Sequence, residues 1–67
     1  MQEFNFAKYV GMKCISALIE LKSREDLEQY EIQDLDYQSI VTMEYRSNRI
    51  RVRYNTITNE VTSVRIG

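Results

Sequence analysis

Polar and apolar residues alternate without a break from Arg49 to Tyr54, with arginines at 49, 51 and 53 and Ile50, Val52 and Tyr54 between them. A period of two belongs to a strand, so the arginines share one face and the apolar residues the other. This is the strongest strand signal in the chain. Tyr30 to Leu35 reads as a weaker strand, and Val61 to Ile66 as a third. Upstream, Cys14, Ile15, Ala17, Leu18, Ile19 and Leu21 recur at helical spacing and predict a helix from Met12 to about Leu21. They fill more than one stripe, which predicts a broad buried face. Lys13 stands where a capping Ser or Asp is wanted, so the helix start is weak. Ser23-Arg24-Glu25-Asp26 can cap another turn continuing toward Gln29.

Thirteen residues separate Leu35 from Arg49. That is enough for the crossover parallel neighbours require and too long for a tight hairpin. In so small a domain a long structureless segment is either functional or disordered. What the arginine face meets decides between them, and the nearest upstream acceptors are the Thr42 hydroxyl and the Glu44 carboxylate.

Sixty-seven residues make one domain, 1–67, whose core supplies only a few kcal/mol of net stability. Cys14 is the only cysteine, so no intrachain disulfide forms, and its spacing from Ala17, Leu18 and Leu21 makes it a small core residue. The net charge of −1 hides a division. Residues 1–45 carry four basic and nine acidic side chains, whereas 46–67 carry five arginines and Glu60. A basic third can mark a nucleic-acid surface. Here the arginines alternate with apolar residues, no lysine accompanies them and no aromatic-rich RNA motif appears, so no nucleic-acid partner is expected. Nor is a membrane partner, since no apolar run is long enough to span one and residues 1–10 do not form a signal peptide. Composition leaves open a cytosolic chain or a secreted mature form with an added initiator Met.

No enzyme is written in these residues. Without histidine there is no Ser-His-Asp or Cys-His arrangement, and the commonest metal ligand is missing. Asp34, Asp36 and Glu44 suggest a calcium loop, but Ser39 replaces the invariant Gly and Tyr45 the bidentate Glu. With glycine only at 11 and 67, there is no phosphate-cradling loop, and no cofactor or metal is expected.

The run Val41-Thr42-Met43-Glu44-Tyr45-Arg46, followed by Asn48-Arg49-Ile50-Arg51-Val52, closely resembles the potato inhibitor I family of serine-protease inhibitors. The likeness runs ungapped from about Tyr30 to Asn59, including the turn at 55–59, and resumes in Val64-Arg65-Ile66-Gly67. Tyr9-Val10-Gly11 and Ala17 look like the family's approach to its single helix. The resemblance implies an α+β fold: one main helix packed on a small mixed sheet, with two parallel strands joined by an extended binding loop at about 36–48. It also implies a monomer. Compared with the family, the region after the helix is about two residues longer and lacks a proline, which predicts a longer helix or a second short turn.

The function implied is substrate-like, standard-mechanism inhibition of a chymotrypsin- or subtilisin-like serine protease. Met43 would fill the primary specificity pocket, and Met43-Glu44 would be the reactive bond. Ser39, Ile40, Val41 and Thr42 would lie extended on the non-primed side, with Tyr45 and Arg46 on the primed side. A loop held in its bound conformation avoids ordering costs of about 0.5–1.5 kcal/mol per immobilised side chain. Such complexes bury roughly 1,600 Å² and include some of the tightest known. Arg49 and Arg51 match the family's loop-supporting arginines, which bond to the groups at Thr42 and Glu44. Charge-assisted bonds of that kind are worth about 1.5–3 kcal/mol each. Gly67 matches the C-terminal glycine whose carboxylate can neutralise the same cluster. The same residues also fit an ordinary surface ion network, worth about 0–1 kcal/mol per pair.

The chain departs from the family in several places. Asp36-Tyr37-Gln38-Ser39 replaces a segment usually richer in proline and glycine, which predicts a looser upstream arm. Arg53 stands where an apolar side chain is common and puts a third positive charge beneath the loop. The tryptophan often found before Val10-Gly11 is absent, leaving Phe6 or Tyr9 to fill its space. Two other readings share the fold: a non-inhibitory protein-interaction domain, and a designed relative made for folding studies.

Overall fold

A computed structural model describes residues 5–40 and 44–67 of the chain. A 3-10 turn at Ala7–Tyr9 leads to an α-helix, α1 (Cys14–Ser23), then to a second 3-10 turn at Glu25–Leu27. Three strands follow: β1 (Glu31–Asp36), β2 (Arg49–Asn55) and β3 (Glu60–Ile66). They form one mixed sheet in the order β1-β2-β3. β1 and β2 are parallel, in register from Glu31 opposite Arg49 to Asp36 opposite Tyr54. β2 and β3 are antiparallel, with Ile50 opposite Ile66 and a slip between Arg53 and Tyr54. The fold is therefore a compact α+β unit of one helix and a three-stranded mixed sheet.

The hairpin between β2 and β3 is closed by asparagines at both ends. Asn55 Oδ1 accepts from the Ile57 N–H at 2.8 Å, and the Asn55 carbonyl accepts from the Asn59 N–H at 2.6 Å. Asn59 sits at φ 61°, a left-handed conformation that asparagine tolerates better than most residues. The far edge of β3 is covered by the approach to the helix. Gly11 N–H donates to the Val61 carbonyl at 2.9 Å, and Val61 N–H returns a bond to Met12 at 2.8 Å. Gly11 is at φ +91°, which a side chain would resist.

The same stitching compensates for the weak helix start. Lys13 makes no side-chain cap. Instead, the Cys14 N–H at the first helical position donates to the Asn59 carbonyl at 2.7 Å, satisfying one of the helix's orphan donors from the hairpin. At the other end the expected extra turn is present as Glu25–Leu27, but Ser23 does not cap it. Its hydroxyl donates back to the Glu20 carbonyl at 2.8 Å.

The core is built from Phe6, Tyr9, Cys14, Ala17, Leu21, Leu27, Ile50, Val52 and Val61. Both candidates for the missing tryptophan's volume are thus interior. Tyr9 is fully buried, and Arg24 Nη1 donates to its hydroxyl at 3.0 Å, giving the buried ring's polar tip a partner. The helix buries less than its sequence predicts. Cys14, Ala17 and Leu21 form one inward stripe with Leu18 at its margin, whereas Ile15 and Ile19 are 68% and 64% exposed. A ten-residue helix laid on one small sheet meets it along a single line, so apolar residues off that line face water. Burial, with the Asp34 charge second, pushes the Cys14 thiol above its ordinary value, as expected of an inert core cysteine.

Candidate functional site

The site expected from sequence lies at the ends of the connection between β1 and β2. On the upstream side, β1 pairing is extended one step by Tyr37 N–H donating to the Tyr54 carbonyl at 2.8 Å. Asp36 then closes a tight turn twice. Its carboxylate accepts from Gln38 N–H at 3.0 Å and its carbonyl from Ser39 N–H at 2.9 Å. An aspartate that bonds the backbone two residues on makes a turn without proline or glycine. The looser arm expected here is a fastened one. Arg53 fastens it further, with Nη1 donating to the carbonyls of Ser39 at 3.1 Å and Tyr37 at 3.3 Å. Beyond this point Ile40 is entirely exposed.

On the downstream side Arg49 is the anchor. It is only 8% exposed, and its fork spans two segments. Nη2 donates to the Glu44 carbonyl and Nε to the Gly67 main-chain oxygen, each at 2.8 Å. Gly67 N–H returns a bond to the Arg49 carbonyl at 2.9 Å. The glycine has a steric reason as well. A Cβ on Gly67, at φ +149°, would lie 3.2 Å from Cδ2 of the Tyr45 ring. Tyr45 itself is 70% exposed. Asn48 completes this arm, its carbonyl accepting from Glu31 N–H at 2.7 Å where β1 and β2 begin.

The Glu44 carboxylate has a different partner from the one its sequence position suggested. It pairs with Arg46 Nε, two residues on, while Arg49 takes the Glu44 main-chain oxygen. The hydrogen bond from Arg46 holds the Glu44 carboxyl below its ordinary value, and the Arg49 and Arg51 charges add to the effect. Arg51 is differently placed. Burial, then the like charges of Arg49 and Arg53, lower its guanidinium from the ordinary arginine value. Its Nε is buried with no hydrogen-bond partner among the described residues. Arg51 therefore acts on the Glu44 carboxylate through its field.

The structure thus brings Ser39, Ile40, Glu44, Tyr45, Arg46, Arg49 and Gly67 to the two ends of one connection, with Arg51 and Arg53 on the strand beneath. Val41, Thr42 and Met43 lie outside the described residues, as do the expected reactive bond on its Met43 side and any Arg51–Thr42 contact. The sequence signal for Arg53 was its alternation with Arg49 and Arg51. What periodicity could not supply was the Asp36 turn that aims the Tyr37 and Ser39 carbonyls at it. Among the described residues no group of three His, Cys, Asp or Glu side chains could hold a metal ion. No helix among them is long and apolar enough to cross a membrane.

Comparison of the chain with models of known protein families finds no match. Comparison with curated proteins finds none either.

Proposed function

We propose that the protein inhibits serine proteases of the chymotrypsin or subtilisin type by presenting the 36–48 connection as a tethered substrate. The observation that carries this reading is the double anchorage of that connection. Arg53 holds main-chain oxygens on one side of residues 41–43, at Tyr37 and Ser39, and Arg49 holds the Glu44 oxygen on the other. Both arginines stand on β2, so two points of the connection share one rigid base. A substrate segment fastened at both ends enters a protease with little ordering cost. In this mechanism Met43 enters the primary pocket and Met43-Glu44 is the scissile bond. When the bond is cut, the new Glu44 amine remains tied to β2 through the bond from Arg49 to the Glu44 carbonyl. It stays within reach of the acyl group and the bond re-forms. The exposed Ile40 and Tyr45 offer apolar surface on either side for the protease to cover. The protein is then a ligand of an enzyme and carries out no catalysis of its own.

The test is titration of subtilisin, chymotrypsin and trypsin with the purified chain. Met43 is long, unbranched and apolar, so nanomolar or tighter inhibition of the first two is expected, with trypsin unaffected. Met43→Lys should move the preference toward trypsin. Better inhibition of trypsin than of subtilisin by the parent would remove Met43 from the role. Rapid hydrolysis of the parent would leave the fold to serve as a non-inhibitory interaction domain.

A further inference from the structure

On the outer face of the sheet arginines outnumber the acids, of which Glu31 opposes Arg49 at the start of the pairing. Arg51 and Arg65 are directly opposed across β2 and β3, and Arg53 opposes Ser63 one step along. Directly opposed residues on one face hold their Cβ atoms about 4.5–5.5 Å apart, and like charges so placed repel. On the other flank Arg51 faces Gln33 and Arg53 faces Leu35, neither of them a carboxylate. The ion pairs among the described residues are Lys8–Glu20, Arg24–Asp26 and Arg46–Glu44, so none involves these three arginines. Arg51, Arg53, Ser63 and Arg65, with Ile66 and Gly67, line a cleft of about 210 Å³. Arg53 commits Nη1 to main-chain oxygens, and the rest of its fork makes no hydrogen bond among the described residues. Among the described residues the Arg51 Nε, buried beside this cleft, has no partner, a rare state for a protein donor.

We propose that this cleft is a binding site for a small tetrahedral oxyanion, inorganic phosphate or sulfate, held by Arg51, Arg53 and Arg65 with the Ser63 hydroxyl. Guanidinium groups donate in pairs along directions that match oxyanion oxygens, and they do so from three positions here. A doubly charged anion also cancels the cross-strand repulsion that the strand pairing imposes. It supplies the close ion pair that these arginines do not make among the described residues. A lipid surface would meet a flat basic face, whereas a cleft of about 210 Å³ fits a small ion. The site is separate from the contact proposed for a protease, so its test needs no protease.

The experiment follows the arginine Nε–H signals of the full chain by NMR during titration with sodium phosphate, sodium sulfate and sodium chloride at matched ionic strength. Saturable shifts at Arg51 and Arg65 are expected for the first two salts, with half-saturation on the order of 1 mM. The melting temperature should rise with phosphate and follow the same saturation curve. Arg65→Gln and Ser63→Ala should each weaken binding, the former at least tenfold. Lys22→Gln, on the helix, should leave it unchanged. Chloride reproducing the shifts, or Arg65→Gln binding phosphate like the parent, would overturn the site. So would uptake by vesicles of anionic lipid without any saturable response to free phosphate.

Discussion

The two faces of β2 hold the molecule together by different physics. On the inner face Ile50 and Val52 are wholly buried against the helix and the first 3-10 turn. Their contribution scales with the apolar area removed from water and has no direction. On the outer face Arg49 and Arg53 reach specific carbonyls at defined distances, and Arg51 between them keeps its Nε unpaired among the described residues. The inner face tells the chain to fold. The outer face fastens the two described ends of the connection between β1 and β2. Three side chains that look equivalent in sequence therefore carry three different loads.

The largest expected effect belongs to the inner face. Ile50→Ala should destabilise the protein by about 2–5 kcal/mol, since the site is closed on all sides and leaves a cavity. Urea unfolding should show this as a lower midpoint at unchanged slope. A loss well under 1 kcal/mol would mean that the sheet and helix are not packed as described.

Arg49→Ala is next, and it should separate folding from inhibition. Two charge-assisted bonds disappear, and protease binding should weaken by about 1.5–3 kcal/mol, ten- to a hundredfold or more. Cleavage at Met43-Glu44 should accelerate, because the Glu44 carbonyl is released. A mass-spectrometric time course with catalytic subtilisin reads both effects. Arg51→Ala should do less in the same assay, as its Nε has no partner among the described residues to lose and it stands among like charges. An equal response from both variants would erase the distinction drawn between them.

A smaller effect is expected from Arg53→Gln, which removes the hold on Tyr37 and Ser39 from a partly exposed position. The weakening should be about 0.5–1.5 kcal/mol, an ordinary hydrogen-bond contribution, seen in the inhibition constant and hardly in the unfolding midpoint. If the midpoint falls as far as with Ile50→Ala, Arg53 is supporting the core and not the connection.

The smallest effect concerns acid. The Glu44 carboxyl is held below its ordinary value of 4.5 by Arg46. Its contribution is therefore complete above about pH 4.5 and is lost as the pH falls through the lower folded value. Because the pair is exposed, salt should blunt the effect. An NMR titration of the Glu44 side chain should give a midpoint below 4.5, which Arg46→Gln returns toward normal. A midpoint unaffected by that substitution would mean that Arg46 is not the partner.

Strict alternation made β2 legible to within a residue, and alternation alone put the three arginines on one side of it. Spacing made the connection long enough for parallel neighbours, and β1 and β2 are parallel. The helix was legible in position and less so in burial, since a linear pattern counts apolar residues without knowing how wide a surface receives them. Ile15 and Ile19 show the difference. The weak start at Lys13 was visible too, but its remedy, the Asn59 carbonyl, comes from the distant hairpin between β2 and β3. At the candidate site the residue types and their side of the strand were readable, whereas their partners were not. Glu44 was expected to meet Arg49 or Arg51 through its carboxylate, and a nearer arginine at 46 takes that carboxylate instead.

Periodicity and turn chemistry are local, so the sequence by itself determined the helix, the strands and which face of β2 is charged. Each follows from spacings of two or of three to four residues. Tertiary structure decided everything that depends on two segments meeting. It set the register that opposes Arg51 to Arg65, the return of Gly67 to Arg49 and Tyr45, and the turn at Asp36 that delivers two carbonyls to Arg53. A hydrogen bond is directional and spends itself on whichever acceptor is close enough. Which acceptor is close is a property of the folded chain and not of the order of its residues.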